Sequence, residues 1–337
     1  MAYNHPRELA HLGFSFPDFR DWIAADEMPR LARDAALVTT PSTTIPVEFT
    51  SYIDPMVVDI LTAPRKAREL FREVRKGDWT SAYMLFRANE LTGATEPYSD
   101  KANNRTSSVN YDFQGRDNYV FQTVIEYGER EAAVTSAAKI SLAGDKQRAA
   151  ANALDMDANR FAFLGVAGLR NYGLLNSPNL PAALTAAATG AGSSTSWASK
   201  TTVQIYQDVL DLFQQLVTQA GGWIDENSPL ILALPPALAV ALGTANEYGK
   251  TPREMLGDYF RRLRIVTVPE MAANGTNTMM LMAEEVRGMP TGQIGVSEKV
   301  RAMAMVRGLS SWSQKWLAGT YGTILYLPFA VATMRGM

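Results

Sequence analysis

Gly165-Val-Ala-Gly-Leu-Arg-Asn-Tyr-Gly-Leu-Leu-Asn-Ser-Pro-Asn179 is a glycine-punctuated segment at the centre of the chain's organisation. Glycine or proline stands at 165, 168, 173 and 178, which marks a turn and not a continuing helix. Just before it, Ala150, Leu154, Ala158, Phe161 and Leu164 fall near one face of a helix. Asp145, Lys146, Arg148, Asp155 and Arg160 lie elsewhere around it. The spacing predicts a helix over 145–164, about 30 Å long at 1.5 Å per residue, stopped by Gly165 and Gly168. We single out Gly165, Gly168, Gly173, Asn176 and Pro178 as a structural turn. Its glycines serve backbone geometry and not ligand binding.

Working outward toward the N-terminus, the period changes from helical to two. Tyr83, Leu85 and Arg87 alternate with Met84 and Phe86. Then come Val109, Tyr111 and Phe113, followed by Tyr119, Phe121, Thr123, Ile125 and Tyr127. These are strand signals. The polar, turn-rich stretch between them (89–108) carries Lys101, Asn103, Asn104 and Arg105. Two strands with a long polar tip form a hairpin, and an isolated hairpin is marginal in water. It needs a surface to lie on, and another copy of the chain is a candidate. Residues 51–77 read as helical with a break at Pro64, and their mostly basic charges read as a solvated face. A nucleic-acid or acidic-partner patch is the alternative. Before that, 18–37 can form short helices, and Val38–Pro46 is a Thr- and Pro-rich extended arm. Phe14, Phe16, Phe19 and Trp22 need burial, against their own domain or against a neighbour.

Downstream, 129–140 reads as a short helix on the near side of the long one. Beyond the turn, 182–200 is rich in Ala, Gly, Ser and Thr and reads as a mobile connection. An amphipathic helix follows over 202–220, ended by Gly221-Gly222. Leu230–Leu234 reads as a buried strand running into Pro235-Pro236. Helices are expected at 237–244 and 252–263, and strands at 264–268 and 278–283. This is a mixed α+β unit. The alternation from Trp312 to Met334 reads as strand returning to the first unit.

The totals bound the chemistry. In 337 residues, 47% are hydrophobic and 20% charged, which suits a packed core. The net charge of −2 argues against a general nucleic-acid binder. Without cysteine there is no disulfide framework and no thiolate metal site. The two histidines, His5 and His11, cannot build a histidine metal site or triad. The first 19 residues do not read as a secretory signal, and no apolar run is long enough for a membrane helix. Gly190-Ala-Gly-Ser-Ser lacks the lysine of a phosphate loop. Asp155-Met-Asp-Ala-Asn159 opens like a calcium loop but continues with Arg160 where glycine is needed, and Val166 where glutamate is needed. The pairs Glu129/Glu131 and Glu284/Glu285 could serve acid–base chemistry, but adjacent surface charges are commoner. An unrecognised Ser–Lys site stays open. We expect no cofactor and no catalytic residue.

At this point the residues resemble a family. Phe161-Ala-Phe-Leu-Gly165 with Tyr172-Gly-Leu-Leu-Asn-Ser-Pro-Asn179 is similar to the helix and turn of tailed-phage major capsid proteins with the HK97-type fold. Ile231-Leu-Ala-Leu-Pro-Pro236, Thr251-Pro-Arg-Glu-Met-Leu256 and Gly322-Thr-Ile-Leu-Tyr-Leu-Pro-Phe-Ala-Val331 add to the likeness, which runs from about residue 45 onward. The turn also looks like that of encapsulins, cell-encoded shells of the same fold. The resemblance implies an α+β fold with an N-terminal arm (1–50) and a first segment of the peripheral (P) domain (51–78). An extended E-loop (79–127) would lie over the adjacent subunit. The P-domain would continue with its spine helix (128–200), followed by an axial (A) domain (201–310) and a return strand (311–337). It further implies a homo-oligomer of pentamers and hexamers forming an icosahedral shell around double-stranded DNA, contacted weakly and away from membranes. Portal, scaffolding and decoration proteins would be partners, with assembly in the host cytoplasm. Some members of the fold join subunits by Lys–Asn isopeptide bonds. That makes Lys101, beside Asn103, Asn104 and Arg105, a candidate inter-subunit tip, with a solvated polar tip as the alternative. An encapsulin-like compartment and an enzyme with a carboxylate or Ser–Lys site are the competing readings.

Overall fold

A computed structural model describes residues 64–100, 105–138, 141–275 and 277–337. They fall in the second of the two units into which the chain divides, 62–337. The arm, its aromatics and the first part of the expected 51–77 helix lie outside the described residues. In chain order come α1 (Ala67–Leu70), β1 (Glu73–Arg75), β2 (Tyr83–Thr92), β3 (Ser108–Asp117), β4 (Tyr119–Gly128), α2 (Glu129–Ala137), α3 (Leu142–Leu164) and β5 (Leu184–Thr185). Then follow α4 (Thr202–Gln219), β6 (Leu230–Leu234), α5 (Pro236–Ala241), α6 (Pro252–Tyr259), β7 (Leu263–Thr267) and β8 (Thr278–Ala283). The last are β9 (Glu285–Val286), β10 (Met289–Pro290), β11 (Gly292–Arg307), β12 (Ser311–Leu325) and β13 (Val331–Arg335).

Two sheets carry the core. One has the order β5-β13-β8-β6-β7, the other β1-β11-β12-β4. The run Leu-Ile-Leu-Ala-Leu of β6 is buried at every position, as a central strand covered on both faces requires. On one face lies α4, whose Ile205, Val209, Leu212 and Leu216 pack with Leu232, Leu234, Met279 and Leu281. Truncating one of these, such as Leu212→Ala, would cost about 2–5 kcal/mol. A capping box starts α4: Thr201 Oγ1 accepts from Gln204 N, and Gln204 Oε1 accepts from Thr201 N. On the other face Ile231, Ala233, Met280 and Met282 share a core with Ile294, Val296 and Leu325 of the second sheet. Ala162, Phe163 and Leu174 enter this core from the end of α3 and from the turn. Helix α3 covers β4 and β12. Phe161 meets Tyr119 and Phe121 edge-on at centroid distances of 5.2 and 5.1 Å, while Leu154 packs with Phe121 and Ala318.

The structure departs from the sequence expectations at several places. Helix α3 begins at Leu142, three residues before 145. Of the part of 51–77 that is described, only Ala67–Leu70 is helical, and Glu73–Arg75 pairs in parallel with β11. Several of its charges are paired within the chain, while Arg68, Arg72 and Arg75 remain largely exposed. Arg65 and Arg68 pair with Asp155, while Glu73 takes Arg68 and Lys299. The segment 182–200 is not a loose tether. Ala186 and Trp197 are buried, and Lys200 Nζ reaches Asp208 Oδ1 and Oδ2 at 2.9 and 2.6 Å. Trp197 Nε1 donates to the same carboxylate at 2.8 Å. Most of its small residues are exposed, and the segment is held by these few buried side chains. The alternation at 312–334 is two strands in different sheets, separated by a turn at Pro328. Strand β11, unforeseen, joins β12 although it precedes residue 310, whereas β13 joins β8 although it follows. The expected division at 310 therefore does not follow the sheets.

Candidate assembly surfaces

The last carbonyls of a helix need partners from outside it. At the end of α3 the turn supplies all of them. Gly165 N donates to Phe161 O at 2.9 Å, Leu174 N to Ala162 O at 2.9 Å and Leu175 N to Phe163 O at 2.9 Å. Asn176 Nδ2 donates to Leu164 O at 2.6 Å, while its Oδ1 accepts from Gly173 N at 2.7 Å. The chain doubles back so tightly that a Cβ at Gly173 would overlap the Phe163 carbonyl. Gly165 has φ +63°, and a Cβ there would strike the Asn171 carbonyl. Gly168, at φ +84°, has open space around it. Pro178 is exposed and sits inside the Ser177–Leu180 bend, where Leu180 N donates to Ser177 O at 3.2 Å.

The turn also fastens neighbouring strands. Thr323 N donates to Tyr172 O at 2.9 Å, and Thr323 Oγ1 donates to Ala162 O at 2.6 Å. Gly322, at φ +74°, lets β12 approach this close. The buried Asn171 donates through Nδ2 to Thr320 O at 2.8 Å and to Asp117 O at 3.2 Å. Arg170, Asn171 and Gly322 are structural residues that the sequence did not single out. The only signal was position: Gly322 opens one stretch carrying the family likeness, and Arg170 and Asn171 lie in the 165–179 turn between two segments that carry it.

Strands β2 and β3 pair only with each other among the described residues. Each has ten residues, about 34 Å at 3.4 Å per residue. Their register puts Tyr83, Leu85 and Leu91 on the same face as Val109, Tyr111 and Phe113, with Arg87 and Asn89 between them. That face lies open: Leu85 is 57% exposed, Leu91 82%, Tyr111 58% and Phe113 63%. Asn110, Asp112, Gln114 and Arg116 occupy the other face. At the tip Arg105 Nε bonds Glu96 Oε1 at 2.7 Å, and Lys101, Asn103 and Asn104 lie outside the described residues. At the base, Arg170 binds Asp117 with N to Oδ2 at 2.9 Å and Nη2 to Oδ1 at 3.0 Å. These bonds hold the Asp117 carboxyl below the usual carboxylate range.

Of the acidic pairs considered for chemistry, Glu131, Glu129 and Glu284 face basic side chains, and Glu285 is exposed. Glu131 takes Lys146 at 2.6 Å, and this bond, with the Gly128 N–H, holds its carboxyl below the usual range. Glu129 faces Arg307, and Glu284 faces Arg264, both at 3.9 Å. Asn159 accepts from Ala67 N at 3.1 Å and donates to Glu270. A Ser-x-x-Lys spacing does occur at Ser136–Lys139. Ser136 is exposed on α2, and Lys139 lies outside the described residues. Among the described residues there is no cluster of His, Cys, Asp or Glu fit to hold a metal, and no helix long and apolar enough to cross a membrane.

A helix-backed sheet, a second α/β layer and an open apolar hairpin define a shell subunit of the HK97-like class. Solved structures agree on the fold. The capsid of Myoviridae phage XM1 is similar with a TM-score of 0.72 and 12% identity, over 88% of this chain and all of that one. The capsid of a native GTA particle gives 0.60 and 10%, over 90% and 98%. The Mycobacterium phage Bobi structure gives 0.56 and 11%, over 84% and 94%. No curated protein matches the chain in sequence. Residues 36–336 match the family model described as Pa193 gp26 major capsid protein, and the chain belongs to that family. It is a major capsid protein of tailed phages, a structural protein and not an enzyme.

Proposed function

We propose that copies of the chain associate as pentamers and hexamers into an icosahedral shell around double-stranded DNA, each hairpin lying across the adjacent copy. The observation that carries this is the open apolar face of β2–β3. A two-stranded hairpin with large side chains in water is marginal alone, and a contiguous exposed apolar patch marks an interface. In this reading β2 and β3 are the arms of the E-loop. The β1-β11-β12-β4 sheet with α3 is the P-domain, and the five-stranded sheet with α4 is the A-domain. The domain limits then follow sheet membership, with 292–307 and 331–335 exchanged relative to a cut at 310. An obligate shell contact of this kind is expected to bury above roughly 2,000 Å². The net charge of −2 suits a wall that touches DNA weakly and lets it move during packaging. Portal, scaffolding and decoration proteins complete the particle, which assembles in the host cytoplasm.

Deleting residues 91–108 tests the reading. The variant is expected to keep a cooperative melt and to assemble poorly, and normal particles from it would count against the hairpin's role. An encapsulin-like compartment is the weaker alternative, since the family model is that of a phage capsid protein. Nucleic acid inside the particles, and not cargo protein, separates the two. A Lys101 cross-link to Asn103 or Asn104 of another copy would leave a ladder on denaturing gels of mature particles, and a monomer band alone would exclude it.

A further inference from the structure

The hairpin leaves the body of the chain at one point. Only Asn118 separates Asp117, the last residue of β3, from Tyr119, the first of β4. A junction this short between two sheets would ordinarily act as a hinge. Here Asp117 has no free polar group. Its N–H donates to Arg170 O at 3.1 Å, and its C=O accepts from Asn171 Nδ2 at 3.2 Å. One carboxylate oxygen accepts from Arg170 N and the other from Arg170 Nη2. Beside it, the buried Arg116 guanidinium lies over the Tyr172 ring, 4.6 Å from the centroid. The Arg170 guanidinium lies beside Gly115, where a Cβ would meet Nη1 at 3.4 Å, about an ordinary contact distance. On the β2 side, Asn118 N donates to Ala82 O at 2.9 Å, and Phe86 meets Tyr326 edge-on at 6.1 Å.

We infer that the turn after α3 is a bracket that sets the angle of the hairpin, with Arg170 and Asp117 as its positioning residues. The turn can act so because it is itself fixed. Its backbone closes the end of α3, Asn176 ties it to Leu164, and Gly322 admits it against β12. Helix, turn and hairpin base form one connected path of short polar contacts. The hairpin is thereby oriented within each subunit before a neighbour arrives, which lowers the ordering cost of association. That last consequence rests on the hairpin contact in the proposed function, whereas the bracket itself does not.

The absence of cysteine makes the test direct. Cysteines placed at Thr95, near the tip, and at the exposed Ala153 of α3 carry a unique pair of spin labels. Distances are measured by pulsed electron resonance on the unassembled full chain. The otherwise unchanged protein should give one narrow distance distribution. Arg170→Ala should widen it at least about two-fold with the thermal midpoint kept within a few degrees, and Arg170→Lys, which keeps a charged donor, should recover part of the narrowness. Asp117→Asn should fall between. A distribution as narrow in Arg170→Ala as in the parent would overturn the bracket. A widened distribution together with normal particle yield would leave the bracket standing and contradict the need for a pre-set hairpin in assembly.

Discussion

At the scale of single residues, the turn separates three reasons for glycine. At Gly168 only the positive φ matters, so Gly168→Ala should cost about 1 kcal/mol. Gly165 combines φ +63° and ψ −163° with a collision at Asn171, a region essentially reserved for glycine. Gly173 faces a purely steric barrier at Phe163. Both Gly165→Ala and Gly173→Ala should cost at least about 3 kcal/mol. Chemical denaturation of the three variants checks the order, and a Gly168 cost equal to the other two would refute it. Asn176→Ala removes two cap bonds and should cost about 1–2 kcal/mol. Asp117 has a folded pKa below its ordinary value, so its bond to Arg170 contributes fully above the ordinary aspartate range near pH 4. That contribution is lost as pH falls through the lowered value. The facing charges, Arg116 and Arg170, stay protonated throughout. Amide exchange at the base of the hairpin should be flat from pH 7 to 5 after correction for intrinsic rates, and should rise only in stronger acid. The glycine pattern was legible in the sequence because glycine leaves a visible mark. Arg170 and Asn171 were not, since a polar residue in a polar turn looks the same whether it is solvated or clamped.

At the scale of elements, periodicity revealed what is amphipathic and local. Helix α3 and helix α4 with its Thr201–Gln204 box were readable because one side of each is buried, and strands β6 and β8 because they are short apolar runs buried on both faces. Strand β11 escaped because repeated register shifts break its alternation and its second half is exposed. The segment 182–200 escaped because its composition imitates a linker while Trp197 and Lys200 anchor it. Breaking that anchor on one side is the test. Lys200→Ala should cost about 3–5 kcal/mol by leaving Asp208 charged and buried, while Lys200→Met with Asp208→Leu should cost less, about 1–3 kcal/mol, because only the buried Trp197 N–H then lacks its acceptor. Thermal melts decide, and a harmless Lys200→Ala would return 182–200 to the status of a tether. On the hairpin, Phe113→Ser should leave the melt unchanged because the ring is 63% exposed, and should lower particle yield.

At the scale of the whole molecule, chain order misled where the chain changes sheets. The segment after residue 290 supplies β11 and β12 to one sheet and β13 to the other, and no local pattern records that exchange. What the sequence did carry was the set of short motifs around Gly165–Asn179, and these pointed to the class of shell subunit that the family model identifies over 36–336. The hairpin is proposed to join copies of this fold into a closed shell. Cryo-electron microscopy of particles formed by the full chain tests it most directly. The expected result is an icosahedral shell of pentamers and hexamers in which Leu85, Leu91, Tyr111 and Phe113 are buried against the adjacent copy. A shell in which that face looks into solvent, or a chain that stays monomeric under assembly conditions, would contradict it.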